Sequence, residues 1–268
     1  MPATEYPVFL ANRGIVLNKP SEFLLQQFSP HSRNMEFYNE LLQGRLGLTK
    51  FDSFALSGRI QEIANYRKFN SLRRVLFCTP KDIYVYDFSS ARYDILTPVY
   101  ETGTIEVSGT TVTGTGTLWN TDGNVKAGDF IKIGAGAVHT GSTWYEIATV
   151  DSDTQLTLTE SAGIVAAGSA SVIRQTFTGG NSNSWNYRQF TDENLGDVII
   201  FVNGADSPVY WDGTGQVKEI AGLPTDFISA KYVEVYKDRV IFLSTYEGGS
   251  LQSQRRRFSG VANCLSWD

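Results

Sequence analysis

Apolar positions in this chain come in short runs, and turn residues close each run. The stretch DVIIFVNGADSPVYWDG, Asp197 to Gly213, shows the pattern plainly: an apolar run, a Gly/Asp/Ser/Pro turn, aromatics, then Asp-Gly. The unbroken run Val198–Val202 predicts a strand buried on both faces, whereas alternating text predicts a strand with one face exposed. Asn-Gly and Ser-Pro supply the backbone geometry of the turn between two strands.

The same text recurs. GRIQEIANYRKFNSLRRVLFCTPKDIYVYDFSSARYDIL begins at Gly58, NSWNYRQFTDENLGDVIIFVNGADSPVYWDGTGQVKEI at Asn183, and FISAKYVEVYKDRVIFLSTYEGGSLQSQRRRFSGVANCLSWD at Phe227. Each opens on an alternating stretch carrying a tyrosine, Tyr66, Tyr187 or Tyr232, and passes through a polar turn into an apolar strand. Those strands are Arg74–Cys78, Asp197–Val202 and Arg239–Leu243, and in the first two units an aromatic strand ending in Asp87 or Asp212 follows. A four-stranded unit of about forty residues is how a propeller blade reads in sequence, and one such sheet must stack on neighbours to bury both faces. The predicted fold class is therefore all-β: propeller-like blades, partial in this chain, with an inserted small β-barrel or sandwich.

The insert interrupts the repeat. The predicted division is 1–57 as an N-terminal arm and lead-in, 58–99 as the first blade unit, 100–178 as the inserted small β domain and 179–268 as further blade units. Within the insert, GTIEVSGTTVTGTGTLWN reads as two strands, and AGDFIKIG, TWYEIATV, TQLTLTES and ASVIRQTF supply four more. Trp119, Phe130, Trp144 and Tyr145 are its expected core anchors. In the N-terminal segment NRGIVLNKPSEFLL reads as an extended arm, GRLGLTKFDSFALSG as loop and strand, and Met35–Leu42 as a short helix. The third unit reads as stopping at Asp268 before its last strand. A closed propeller needs at least four blades, so a longer polypeptide or other chains are expected to complete it.

Composition agrees with short strands and many turns: 268 residues, 25 of them Gly, 13% aromatic and only 2 Met. The net charge of −5 is uneven, with 12 basic and 9 acidic residues in 1–99, 3 and 8 in 100–178, and 8 and 11 in 179–268. No segment is basic enough for a sequence-reading nucleic-acid binder. Cys78 and Cys264 fit neither a disulfide framework nor a zinc spacing and read as small buried hydrophobes. The N-terminal text has neither a basic segment nor an apolar core of a signal peptide, and no apolar run is long enough to span a bilayer. A soluble chain made in the cytoplasm, with no membrane segment, is the expectation.

Candidate chemistry is sparse. Phosphate-binding and dinucleotide-binding glycine patterns are missing from the text, as is a Gly-x-Ser-x-Gly elbow. His31 and His139 stand outside any metal spacing and read as surface residues. Asp192 with Glu193, or Asp206 with Asp212, could form a carboxylate pair for glycoside cleavage only if the fold brought them together; turn formation is the plainer role for all of them, as for Asp87. No catalytic residue, metal ligand or cofactor is expected. QRRRF is the one basic cluster, and Arg255, Arg256 and Arg257 on a loop would form a solvated or subunit-contacting face, or alternatively contact phosphates of passing DNA.

Several of these motifs together resemble the propeller-type virion proteins of tailed bacteriophages, found in the tail tube, nozzle or head-to-tail connection. NRGIVLNKP with LLQGRLGLTKFDSF resembles the opening of those proteins, DVIIFVNGADSPVYWDG their repeated blade, and DRVIFLS with RRRFSGVANCLSWD the blade that follows. The insert text is similar to small β-domains embedded in phage tail proteins. The resemblance implies a non-enzymatic structural part of a virion tail, synthesised in the host cytoplasm. It would form a homo-oligomeric ring around the DNA channel, with a portal or adaptor and other tail proteins as neighbours and genomic double-stranded DNA passing non-specifically. Two alternatives make different demands. A tail-tip carbohydrate-binding receptor would expose Trp119, Trp144 or Tyr145 to glycan, and a propeller hydrolase would converge carboxylates at one mouth of the ring.

Overall fold

The structure is a computed structural model that describes residues 35–38, 41–44, 54–69 and 73–267. The chain divides into two units, Met1–Ser53 and Phe54–Asp268.

In the first unit, β1 (Met35–Tyr38) and β2 (Leu41–Gly44) pair antiparallel, Met35 opposite Gly44 and Tyr38 opposite Leu41. This corrects the helix expected over Met35–Leu42. Phe37 and Tyr38 favour an extended backbone, and eight residues are too few to hold a helix by propensity alone. The arm in NRGIVLNKPSEFLL, His31 and residues 45–53 of the loop-and-strand text lie outside the described residues.

The second unit is all-β apart from one 3₁₀ turn at Thr121–Gly123 among the described residues. Its first sheet is a four-stranded antiparallel meander of β3 (Glu62–Arg67), β4 (Arg73–Cys78), β5 (Ile83–Asp87) and β6 (Arg92–Ile95). The chain then enters an eight-stranded, half-barrel sheet. Its strands are β7 (Val99–Tyr100), β8 (Thr104–Ser108), β9 (Thr111–Thr115), β10 (Phe130–Ile133), β11 (Tyr145–Ser152), β12 (Gln155–Leu158), β13 (Ile164–Ser169) and β14 (Ser171–Arg174). Their spatial order is β13-β8-β9-β12-β11-β10-β14-β7. Two further meanders follow. The second sheet holds β15 (Asn186–Asp192), β16 (Gly196–Val202), β17 (Val209–Trp211) and β18 (Lys218–Glu219). The third holds β19 (Phe227–Tyr236), β20 (Arg239–Glu247), β21 (Ser250–Gly260) and β22 (Asn263–Trp267). The third repeat unit thus has four strands, correcting the expectation that it lacks its last. Asn263–Trp267 completes it by pairing Ser259 with Trp267.

The three meanders stack through side chains that alternate along each strand. Leu76 and Cys78 of β4 pack with Ile199 and Phe201 of β16 in one cluster, which Tyr66, Trp185 and Trp211 enlarge. On the other face of β16, Val198, Ile200 and Val202 pack with Val240 and Phe242 of β20. All five residues from Val198 to Val202 are at most 1% exposed, which is why this strand is apolar without alternation. Each such side chain is worth about 1.5–3 kcal/mol when taken out of water. The first strands of the sheets lie side by side: Val233 N–H donates to Asn186 Oδ1 at 2.9 Å, and Gln189 Nε2 to the Arg67 carbonyl at 3.0 Å. The β19–β20 hairpin closes with Tyr236 opposite Arg239. Lys237 and Asp238 both take positive φ, 49° and 55°, as a two-residue turn of the twist-matched type requires.

Trp119, fully buried, centres the core of the eight-stranded sheet with Ile105, Val107, Val112, Leu156 and Ile173. Gly114 makes room for it, since a Cβ there would lie 2.7 Å from the indole ring. The six strands expected of the insert are all found, and β7 and β13 are additional. A two-residue strand has no periodicity to read, and the Ala/Gly text of β13 carries a register shift against β8.

Candidate functional site

The arginine cluster is not on a loop. Arg255, Arg256 and Arg257 lie in β21, where Arg257 faces Phe242 and Arg256 faces Leu243 of β20. Side chains of a strand alternate between faces, so the three part company. Arg255 Nη1 donates to Glu247 Oε2 at 2.6 Å, and Arg257 donates to the same carboxylate from Nε at 3.1 Å and Nη2 at 2.6 Å. The Glu247 side chain is fully buried. The hydrogen bonds from Arg257 and Arg255 hold its pKa at about 2 against the opposing effect of burial. A run of charge normally marks a solvated face; here the buried acceptor sits on the preceding strand, where sequence spacing gives no sign of it. Arg256 is left on the opposite face, beside a groove of about 890 Å³ that Tyr232, Tyr236, Ile241, Leu243 and Phe258 also line.

Asp192 and Asp212 form turns; Asp206 instead holds a distant segment, and Asn203 forms the turn it sits in by accepting from the Ala205 and Asp206 N–H groups. Asp206 accepts from the Thr178 N–H and hydroxyl, the Gly179 N–H and Asn203 Nδ2, at 2.6 to 3.1 Å. Asp212 accepts from the Thr214 N–H and hydroxyl and from Lys218 Nζ. Burial raises its pKa, but those bonds outweigh burial and leave it below the usual carboxylate range. Asp87 makes the same turn, accepting from the Ser89 N–H and hydroxyl and the Ser90 hydroxyl, which lower its pKa. Asp192 accepts from the N–H groups of Asn194, Leu195 and Cys264, tying the second sheet to the third, while Glu193 accepts from Asn263. Asp87, Asp192, Asp206 and Asp212 are thus engaged with backbone N–H groups, Glu193 accepts from side-chain amides alone, and no group of three or more His, Cys, Asp or Glu among the described residues could hold a metal ion.

A buried polar junction between the first sheet and the eight-stranded sheet has no counterpart in the sequence reading. Arg174 and Asp82, with side chains 2% and 0% exposed, form an ion pair at 3.4 Å. Arg174 Nη1 also donates to Tyr84 Oη and Nη2 to Ser57 Oγ, and its guanidinium lies 4.3 Å from the Phe130 ring centroid and 5.0 Å from that of Trp144. Asp82 further accepts from Tyr84 and Thr97; burial pushes its pKa up, while Arg174 opposes the shift. His139, expected at the surface, joins this junction. Its ring packs at a tilt against Tyr84, centroids 4.9 Å apart, and its Nε2 lies 3.0 Å from the Ala55 carbonyl. Burial lowers its pKa. The lone arginine of the apolar text ASVIRQTF was the available signal. Its partner lies 92 positions earlier in the chain, as the numbering of the pair shows.

Of the aromatics a glycan would need, Trp119 is completely buried, and Trp144 and Tyr145 are half-buried against the two cores. Cys78 and Cys264 are free thiols, both buried. No helix among the described residues is long and apolar enough to cross a membrane. Comparison with protein-family models finds no match, and comparison with curated proteins finds none either.

Proposed function

We propose that this chain is a structural, non-enzymatic component of a tailed-phage virion, part of a tail nozzle, tube or head-to-tail ring around the DNA channel. In this reading the three meander sheets are propeller blades, and the eight-stranded sheet is a domain inserted between the first and second. The observation that carries it is the run of consecutive four-stranded meanders stacked face to face with their first strands adjacent, together with the motif resemblance. The engagement of Asp192, Asp206 and Asp212 with backbone N–H groups favours a mechanical role over a chemical one. Stacked sheets form a stiff wall, and a net charge of −5 lets DNA slide past without strong phosphate contacts.

The test is quantitative peptide mass spectrometry on purified particles from the source. The expected result is a few copies per particle in a simple ratio to the portal. Absence from particles overturns the reading.

A further inference from the structure

The eight-stranded sheet meets the first sheet in two places that lie far apart along the chain. One is where the chain enters and leaves it. Tyr100 of β7 faces Ile173 of β14, Val99 faces Arg174, and the Gln175 N–H donates to the Pro98 carbonyl at 2.8 Å. The other is the loop of residues 134–144 between β10 and β11. It lies along β6, the edge strand of the first sheet, with Val138 bridged antiparallel to Asp94. The Ile95 N–H donates to the Ala137 carbonyl at 2.8 Å and the His139 N–H to the Tyr93 carbonyl at 3.0 Å, while the Tyr93 N–H donates to Thr140 Oγ1 at 2.8 Å. Ala137 and Trp144 of this loop pack on the aromatic face formed by Phe77, Tyr84, Tyr86 and Tyr93.

One ionisable ring sits in this seam. His139 Nε2 lies 3.0 Å from the Ala55 carbonyl, which can only accept. That contact assigns the hydrogen to Nε2 and makes Nδ1 the bare nitrogen of a neutral imidazole. Nδ1 is buried with no hydrogen-bond partner among the described residues, as are Trp144 Nε1 and Arg174 Nε. A proton added at Nδ1 is therefore a buried donor without an acceptor. The charged groups facing the ring are Arg174 of β14, which repels the new charge, and Asp82 just before β5, which attracts it. Asp82 is already paired with Arg174 at 3.4 Å, so the junction is neutral only while the imidazole is. Tyr84 of β5 presents its ring, the segment before β3 presents the Ala55 carbonyl and Ser57 hydroxyl, and Asp94 of β6 is paired with Arg92 at 3.0 Å. Burial lowers the His139 pKa, in keeping with this arrangement.

We propose that the loop of residues 134–144 is a latch released by acid, with His139 as its bolt. Protonation drives the ring out of the junction and the loop leaves β6, while β7 and β14 keep the eight-stranded sheet attached. The closed latch holds the ring neutral and the open latch lets it take a proton, so opening sets in as pH falls below the ordinary 6.5 or so. It uncovers the face of Phe77, Tyr84, Tyr86 and Tyr93. The device is a local opening, distinct from global unfolding, and it holds whether or not the chain belongs to a virion.

Hydrogen exchange read by mass spectrometry at pH 7.5 and pH 5 tests it on the whole chain, with rates corrected for the intrinsic pH dependence of exchange. At pH 5 peptides covering 134–144 and 92–97 are expected to exchange about tenfold faster while β16 stays protected. A dye that fluoresces on apolar surface is expected to bind at pH 5 with an unchanged far-ultraviolet circular dichroism spectrum. His139→Gln, whose amide can still donate to the Ala55 carbonyl, is expected to remove the acid response. Asp94 and Val138 form a pair that exchanges no hydrogen bond of its own, the arrangement that brings side chains closest. Asp94→Cys with Val138→Cys is therefore expected to form a disulfide that holds the latch shut in acid until reductant is added. Protection at 134–144 that acid does not change overturns the proposal, as does a loss shared equally with β16. An acid response that His139→Gln leaves intact overturns it too. Where His139→Gln is already open at pH 7.5, the tethered chain decides: fast exchange in acid that the disulfide does not suppress sinks the latch.

Discussion

Glu247 buries its carboxylate completely and accepts two hydrogen bonds from Arg257, at 2.6 Å and 3.1 Å. Removing one partner of such a pair leaves the other charge uncompensated, at a cost of about 3–5 kcal/mol when both are buried. Arg255 and Arg257 keep 42% and 24% of their side chains exposed, so water recovers part of that cost. Glu247→Ala is expected to lose about 2 kcal/mol, read as a shift in the urea midpoint. The pH dependence follows from the pKa of about 2 in the folded chain against 4.5 unfolded. The carboxylate's contribution is fully present above pH 4.5 and is lost as pH falls toward 2. Glu247→Gln flattens the stability curve across that window.

Arg174 and Asp82 form the more deeply buried pair, at 3.4 Å. Arg174→Met leaves the Asp82 carboxylate in an apolar setting and is expected to cost about 3–5 kcal/mol. Asp82→Leu alone strands the guanidinium and costs a similar amount. The double variant is expected to cost clearly less than the sum of the singles, because two apolar side chains replace a pair whose desolvation was itself expensive. Chemical denaturation of the three variants forms the cycle. Additive losses would mean the pair is not coupled.

These two pairs mark where sequence reading stops. Strand text is local: DVIIFV announces a strand buried twice, and Asp87 and Asp212 announce their turns. Partnership across sheets is not local. Arg174 meets Asp82 only because β14 folds back against the first sheet, and Glu247 meets Arg257 across β20 and β21, whose pairing shifts register between Leu243 and Thr245. Even the repeat misleads at single positions. Tyr66 and Tyr187 occupy similar places in their units, yet both point into one cluster from opposite sides, and Tyr232 points to solvent. A shift of one residue in register exchanges the faces of a strand.

His139 makes the Arg174 junction sensitive to acid. Burial lowers its pKa below the ordinary 6.5, the nearby Arg174 adds to that, and the Ala55 carbonyl and Asp82 oppose it. The folded chain therefore binds fewer protons than the unfolded one below pH 6.5. The neutral imidazole's contribution is fully present above pH 6.5 and is lost as pH falls through the lowered folded value. Thermal melts between pH 7.5 and 4.5 are expected to show a falling melting temperature that His139→Gln reduces. An unchanged slope in that variant would place the acid sensitivity elsewhere.

Cys78 and Cys264 report on two different sheet-to-sheet contacts. Cys78 packs with Phe201 between the first and second sheets, and Cys264 with Phe242 between the second and third. Both are fully buried. Burial pushes the Cys264 thiol up to about 12, with Asp192 adding to the shift, and burial raises Cys78 further still. Since the thiolate is the reactive form, iodoacetamide at pH 8 is expected to label neither in the native chain and both in denaturant. Phe201→Ala removes packing worth about 3 kcal/mol, which at 1.4 kcal/mol per tenfold raises the open population about a hundredfold. Mass spectrometry of the labelled peptides is expected to show that gain at Cys78 and a smaller one at Cys264, with Phe242→Ala reversing the order. Equal gains at both thiols in either variant would mean that the two contacts open as one cooperative unit.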